Sequence, residues 1–274
     1  GVSLIGSDFA ELFFASKRDD RLEGRGGDDV IFARDGDDEA IWNNGDGSDL
    51  VFGGRGHDRQ TVNLADDAGD AITLTNIGSF VQLARTNLGV FSLNLFDTEA
   101  LAVNGGGGDD SFTLANDVAA AIELEIDGGA DGADHRRADD AGDIAQGDTV
   151  DLSSFATGVL VDLDENNQGV LQAENDLSNA TDAGLSEFGK IEVDGEVVVE
   201  QLDDVENAVG TAFDDTLFGN SQNNVLLGSA GDDRLHPFGG DDFVDGGTGT
   251  DTLLLNGFPK GSDVDVADGV EQFL

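Results

Sequence analysis

The chain has 274 residues, of which 58 are acidic and 13 basic, for a formal net charge of -45. That balance argues against nucleic-acid phosphate or an anionic membrane as partner and makes cations the natural ones. It has no cysteine, which removes disulfides and thiolate metal sites, and no apolar run approaches the roughly 18 residues of a membrane-spanning helix. Such acidity can signal disorder, but 38% hydrophobic residues, with 17 Phe set in short alternating runs, predict a folded chain. The absence of methionine, and a start at Val2-Ser3-Leu4-Ile5-Gly6 that already looks like the inside of a repeat, lead us to expect a fragment or a processed chain.

Residues 1–61 carry a nine-residue period. Units begin at Gly6, Ala15, Gly24 and Ala33 and, after a two-residue insertion, at Asn44 and Gly53. The sixth positions are Glu11, Asp20, Asp29, Asp38, Asp49 and Asp58; the eighth are Phe13, Leu22, Ile31, Ala40, Val51 and Gln60. One column seeks cations and the other is apolar. Glycine is dense in positions one to four, where a chain can turn through positive φ without a Cβ penalty, so each nonamer predicts a turn followed by a short strand. Phe14, Phe32 and Phe52, at the ninth positions, face outward when the eighth faces inward and would stack. Such an apolar ridge calls for a cover, either the middle of this chain or another domain or copy. Trp42, inside the insertion, is expected to cap a gap in the coil, with a sugar-stacking platform as the alternative.

Residues 62–127 alternate with a strand period at Ala71 to Thr75, Phe80 to Leu83, Val90 to Phe96, Leu101 to Asn104, Phe112 to Leu114 and Ile122 to Ile126. A less regular continuation of the same coil is the preferred reading, a separate β-sandwich the alternative. An isolated repeat, Gly105 to Thr113, places Asp110 in a sixth position. Residues 128–146, with Asp131, His135 and Asp139, lack periodicity and predict a solvated acidic loop. In 147–209, Gly147-Asp148-Thr149-Val150-Asp151 looks like half a repeat. Val159 to Leu163 and Ile191 to Val199 predict strands, and Asp182 to Phe188 a short helix. Paired acids such as Asp162 and Asp164 would suit glycoside chemistry, or merely the outward face of an acidic strand.

From 210 to 254 five nonamers run without a gap, beginning at Gly210, Gly219, Gly228, Pro237 and Gly246. Their sixth positions read Asp215, Asn224, Asp233, Asp242 and Asp251, their eighth Leu217, Leu226, Leu235, Val244 and Leu253. Residues 255–274 are expected to cap or continue the coil.

Two nonamers return the chain to its starting side, so equivalent side chains stack at the strand spacing of about 4.8 Å. Asp215, Asp233 and Asp251 then form one ladder, Asn224 and Asp242 another, and Asp20 sits over Asp38. Two carboxylates so placed repel by about 3 kcal/mol at an effective dielectric of about 20. A dication reverses that sign, and carboxylate with main-chain carbonyl oxygen is the hard donor set that calcium prefers over magnesium. With one core residue in nine, burial worth about 1.5–3 kcal/mol per side chain cannot offset about 1–2 kcal/mol of backbone entropy per residue. Metal binding is then expected to supply folding free energy, leaving a disordered chain without it.

The register resembles the hemolysin-type, or RTX, calcium-binding repeat with its Gly-Gly-x-Gly-x-Asp-x-U-x pattern. Val205 to Leu217 is similar to the lead-in segment of such proteins. Departures are Glu11 and Asn224 for Asp, Ala40 and Gln60 for the apolar residue, and Ala15, Ala33 and Pro237 for the first Gly. The resemblance implies an all-β parallel β-roll or β-solenoid with calcium between turns, two regular blocks flanking an irregular β region. It implies several Ca2+ ions as cofactor, with Asp20, Asp29, Asp38, Asp49, Asp58, Asp110, Asp148, Asp215, Asn224, Asp233, Asp242 and Asp251 as side-chain ligands. Turn carbonyls would complete the shells, at Gly24, Gly26, Gly53, Gly56, Gly228, Gly231, Gly246 and Gly249. Fifth-position acids such as Asp28, Asp214 and Asp232 would lend carbonyls or point outward. His57, His135 and His236 fall in no catalytic motif. The implied function is a non-enzymatic calcium-binding structural or interaction module of a bacterial surface layer, matrix or adhesin, exported by type I secretion. The alternative is a non-catalytic accessory module of a larger secreted enzyme or toxin.

Overall fold

A computed structural model describes residues 1–65, 68–118, 121–129, 147–163, 190–193, 196–199, 201–255, 263–266 and 269–273. It divides into two compact units, Gly1–Ala130 and Asp131–Leu274.

In the first unit the alternation of turn and strand produces β1 (Ser3–Ile5), β2 (Leu12–Phe14), β3 (Arg21–Glu23), β4 (Val30–Asp35), β5 (Glu39–Asn43), β6 (Leu50–Arg55) and β7 (Arg59–Asn63). Successive strands go alternately to two sheets, and every pairing is parallel: β1-β3-β5-β7 on one side and β2-β4-β6 on the other. Eighth positions stack, Leu22 opposite Ala40 and Ala40 opposite Gln60, with Phe13 opposite Ile31 and Ile31 opposite Val51. Arg21 lies opposite Glu39, 18 residues on, but Glu39 lies opposite Arg59, 20 residues on. The two inserted residues, Trp42 and Asn43, simply lengthen β5. Trp42 is buried, stacks on Phe91 with centroids 3.8 Å apart, and donates Nε1–H to the Gly47 carbonyl at 2.9 Å. It fills the widened coil, and burial takes its ring out of reach of a sugar.

The coil then continues through β8 (Ala71–Asn76), β9 (Val81–Arg85), β10 (Phe91–Phe96), β11 (Ala100–Asn104), β12 (Ser111–Leu114) and β13 (Glu123–Asp127). One wall extends regularly, β11 on β7 and β13 on β11, both parallel. The other is widened by an antiparallel meander, in the order β6-β10-β9-β8-β12. These strands extend the two walls of the coil, and the antiparallel detour is a feature that hydrophobic alternation did not disclose. Stacked Asn43, Asn63 and Asn104 follow the regular wall, each linked by side-chain amide hydrogen bonds of 2.9 and 2.6 Å.

The outward aromatics stack as expected, Phe14 on Phe32 at 5.2 Å and Phe32 on Phe52 at 4.7 Å. The middle segment lengthens this ridge rather than covering it: Phe96 stacks on Phe52 at 4.5 Å, Phe80 tilts against Phe96, and Phe14 stays 53% exposed.

The second unit contains β14 (Thr149–Asp151), β15 (Val159–Asp162), β16 (Lys190–Val193), β17 (Glu196–Val199), β18 (Gln201–Asp203), β19 (Asn207–Val209), β20 (Thr216–Phe218), β21 (Val225–Leu227), β22 (Arg234–His236), β23 (Asp241–Asp245), β24 (Asp251–Leu253), β25 (Asp263–Val266) and β26 (Val270–Phe273). Its parallel rows are β14-β19-β21-β23-β25 and β15-β20-β22-β24-β26. Leu217, Leu235 and Leu253 stack in one row and Leu226 with Val244 in the other, all fully buried. The single strand expected over Ile191 to Val199 is instead two antiparallel strands, β16 and β17. The Asp194-Gly195 pair between them is a hairpin signal that the apolar run obscured. The acidic loop from residue 130 onward, the short helix at 182–188, His135 and Asp164 lie outside the described residues. Among the described residues there is no helix.

Coil-on-coil packing makes the fourth-position glycine critical. Gly231 has φ 128, and a Cβ there would overlap the main chain of Phe213 and Asp214 one coil back; Gly45 has φ 99 but nothing within 4 Å. Urea unfolding followed by circular dichroism in saturating calcium should show Gly45→Ala losing about 1–2 kcal/mol of stability to backbone strain. Gly231→Ala, which adds the collision, should lose clearly more.

Candidate metal centre

Each nonamer ends its turn at the sixth residue, whose side chain points back into the coil. The Asp20 amide donates to Asp38 Oδ1 at 2.7 Å, and the Asp38 amide to Asp58 Oδ1 at 2.9 Å. The Glu11 amide donates to Asp29 Oδ1 and the Asp29 amide to Asp49 Oδ1, at 2.7 and 2.8 Å. In the second unit Asp215 donates to Asp233 and Asp233 to Asp251, both at 2.8 Å, while Asn224 donates to Asp242 at 3.0 Å. The stacked ladders expected from the register are therefore present, and each carboxylate faces an amide of the neighbouring coil.

One oxygen of these groups is left over. Asp29, Asp38, Asp58, Asp233 and Asp242 are each no more than 3% exposed, and in each Oδ2 is buried with no hydrogen-bond partner among the described residues. Burial, seconded by neighbouring carboxylates, pushes the Asp58 carboxyl up to about 6 and those of Asp49, Asp233 and Asp242 to about 7. Asp29 and Asp38 move in the same direction for the same reason. Asp20 differs. Burial pushes it up too, but hydrogen bonds from the Val2 and Ser16 amides and the Ser16 hydroxyl outweigh that and hold it below the ordinary range.

Asp110 and Asp148 are buried in the same kind of position, and their partners lie in segments whose sequence departs from the repeat pattern. The Asp70 amide donates to Asp110 Oδ1 at 2.6 Å, which makes Ala65 to Thr73 a degenerate unit. The Asp148 amide donates to Glu206 Oε2 at 2.9 Å, and the Asp58 amide to Glu99 Oε2 at 2.8 Å, so two glutamates occupy sixth positions. The eighth-position signals were there, in Ile72, Ala208 and Leu101, all buried.

Fifth-position side chains do more than point outward. Asp19 accepts from the Asp37 amide at 3.1 Å, Asp37 from His57 at 2.9 Å, Asp28 from Ser48 at 3.0 Å, Asp214 from Asp232 at 2.8 Å and Asp232 from Thr250 at 2.9 Å. Position five thus bonds to the coil ahead, and the position-six amide to the same coil through that coil's own carboxylate.

No group of three or more His, Cys, Asp or Glu side chains converges as a metal cluster among the described residues. A cation at these turns would meet one carboxylate per unit and would need main-chain carbonyls as well, a hard all-oxygen set that suits calcium. The turns are built for a close carboxylate. At Gly24, Gly53, Gly228 and Gly246 an added Cβ would collide with the carboxylate of the unit's own sixth residue. Gly56, Gly231 and Gly249 adopt positive φ in the same turns, which also contain Gly26.

A parallel two-sheet coil with an acidic or amide side chain turned inward at the sixth position of each nonamer defines a β-roll. The RTX calcium-binding nonapeptide repeat matches the chain in four copies, at residues 5–40, 45–59, 209–237 and 223–253. The two regular blocks are RTX calcium-binding repeats. No curated protein matches the chain.

The raised carboxyls fix the sign of the pH dependence. Unfolded Asp ionises near 3.9, whereas Asp49, Asp58, Asp233 and Asp242 ionise at about 6 to 7 in the fold. The folded chain holds the extra protons, so this contribution is fully present below about pH 4 and lost as pH rises through 6 to 7. In chelator, whatever residual strand signal circular dichroism reads should diminish between pH 5 and 8. Protons compete with the cation for these carboxyls, so calcium affinity should rise with pH.

Proposed function

We propose that this chain is a secreted, non-enzymatic calcium-binding module of the surface-layer, matrix or adhesin type, which folds as it binds several calcium ions. What carries the reading is the set of buried carboxylates at Asp29, Asp38, Asp58, Asp233 and Asp242, each with one oxygen lacking a hydrogen-bond partner among the described residues, inside the segments that match the calcium-binding repeat. The sixth-position residues named above would supply side-chain oxygen, and the turn carbonyls around Gly24, Gly26, Gly53, Gly56, Gly228, Gly231, Gly246 and Gly249 the remainder. Extracellular modules bind calcium at about 0.1–1 mM. The ion would then order the chain after export, and low cytosolic calcium would keep it threadable. Two of the three histidines lie among the described residues, and their surroundings suit structure: His57 pairs with Glu123 at 3.0 Å, and buried His236 packs edge-on against Phe238.

A calcium titration followed by far-ultraviolet circular dichroism tests the reading. Strand signal should appear only as calcium is added; a full strand spectrum in chelator would overturn it.

The stacked ridge of Phe14, Phe32, Phe52 and Phe96 is the surface through which we expect such a module to meet another copy of itself. Phe32→Ser should leave the calcium-dependent strand signal intact and abolish association in sedimentation equilibrium; unchanged association would remove the ridge from the proposal.

A further inference from the structure

The sixth-position groups fall into two kinds, divided by how the turn before them is made. In the first two units of each regular block the second residue carries Ser7, Ser16, Thr211 or Asn220, and closes the turn locally. The Ser16 amide and hydroxyl donate to Asp20 Oδ2 and Oδ1 at 2.6 and 2.9 Å, and the Val2 amide adds a third bond at 2.6 Å. Thr211 does the same for Asp215, at 2.6 and 2.9 Å, with the Val159 amide at 2.8 Å. Ser7 closes on Glu11 through both its amide and hydroxyl, and the Asn220 amide closes on Asn224 Oδ1 at 2.9 Å. Each of these oxygens is already spoken for.

From the third unit onward the second residue turns left-handed: Arg25, Arg34 and Gly54 in one block, and Ser229, Phe238 and Gly247 in the other, with φ from 62 to 115. Conformation decides, not the presence of a hydroxyl. Ser229 Oγ reaches the Gly210 carbonyl at 3.5 Å, while Asp233 in its own unit keeps a buried Oδ2 with no hydrogen-bond partner among the described residues. A third kind of closure occurs at Asp70. Its Oδ2 accepts from the Ala65 amide at 3.0 Å, and its Oδ1 meets Arg85 Nη1, also at 3.0 Å. That guanidinium is 6% exposed and bonds Asn44 Oδ1 and the Gly89 carbonyl as well.

We propose that calcium enters this chain only at the open turns, those of Asp29, Asp38, Asp58, Asp233 and Asp242 among them. The first two units of each block and the Asp70 turn are closed by the chain's own groups and take no ion. The inference rests on the calcium reading of the sixth position and divides that column in two. Those leading turns are seeds that need no metal, on which the calcium-dependent coils stack.

Native mass spectrometry of the whole chain in calcium counts the ions. Asp20→Asn and Asp215→Asn should bind as many as the parent chain, whereas Asp38→Asn and Asp233→Asn should each bind at least one fewer. Equal loss in all four overturns the division and leaves the calcium reading standing; no loss in any of them overturns both. A measurement that needs no variant is anomalous diffraction from the native chain crystallised with terbium. Peaks should fall beside Asp38 and Asp233, and a peak coordinated by Asp20, Asp215 or Asp70 would overturn the proposal.

Discussion

Everything in this coil depends on how a turn satisfies its main-chain donors when its only neighbours are turns like itself. Strands have a ladder for their amides, but a six-residue turn stacked on another does not. The recurring Asp-Asp pair supplies what is missing. The fifth side chain of one coil accepts the fifth amide of the next, as Asp214 does from Asp232, and the sixth amide finds the sixth carboxylate of that same coil, as Asp215 does Asp233. The sixth amide is buried and needs that acceptor, since a buried amide without a partner costs about 1–3 kcal/mol. Aspartate is selected here first as a hydrogen-bond acceptor.

Its charge is the consequence that the fold must then manage. The outer, fifth-position row lies at the surface, where water screens it. The inner row is buried, and the raised carboxyls at Asp49, Asp233 and Asp242 record how poorly an ionised group is tolerated there. A thin core of one stacked Leu or Val per nonamer cannot outweigh that term. The amide bonds reduce the direct repulsion inferred from spacing alone, because each carboxylate faces a donor. At the open turns, such as those of Asp38 and Asp233, they still leave a second oxygen for a proton or a cation to serve, so binding and folding become one equilibrium there.

The regular part of this was legible in the sequence because the period is rigid. Wherever nine residues separate an Asp from the next Asp and a Leu from the next Leu, register, sheet membership and burial follow. What stayed hidden was either out of phase or chemically displaced. Asp70 follows three residues inserted after the Gly53 unit, and Glu206 and Glu99 carry the carboxylate one methylene further out. The β8–β10 meander was visible as strands, yet hydrophobic alternation does not carry a strand's direction, so its antiparallel pairing could not be read. The fifth-position bonds were missed for a related reason: spacing shows that Asp28 and Ser48 stack, but not which one donates. Trp42 was readable from size alone, since a two-residue excess in a coil this narrow has to be filled.

The meander also shows why such a coil tolerates insertions. Each coil touches only its neighbours, so a break in the period disturbs one junction and the ladder resumes beyond it. Asn63 still finds Asn104 and Asp70 still finds Asp110, although about forty residues now separate partners that elsewhere stand 18 or 20 apart. The disturbed junction faces an electrostatic problem, since inserting strands between two acidic turns removes the coil that would have shared a cation with Asp70. The insertion brings its own remedy. Arg85 ends β9, the middle strand of the meander, and its guanidinium lies between Asp70 and Asn44, with the Phe91 ring 5.0 Å from its carbon. A side chain delivered by the inserted segment thus restores locally the counter-charge that the inserted segment displaced.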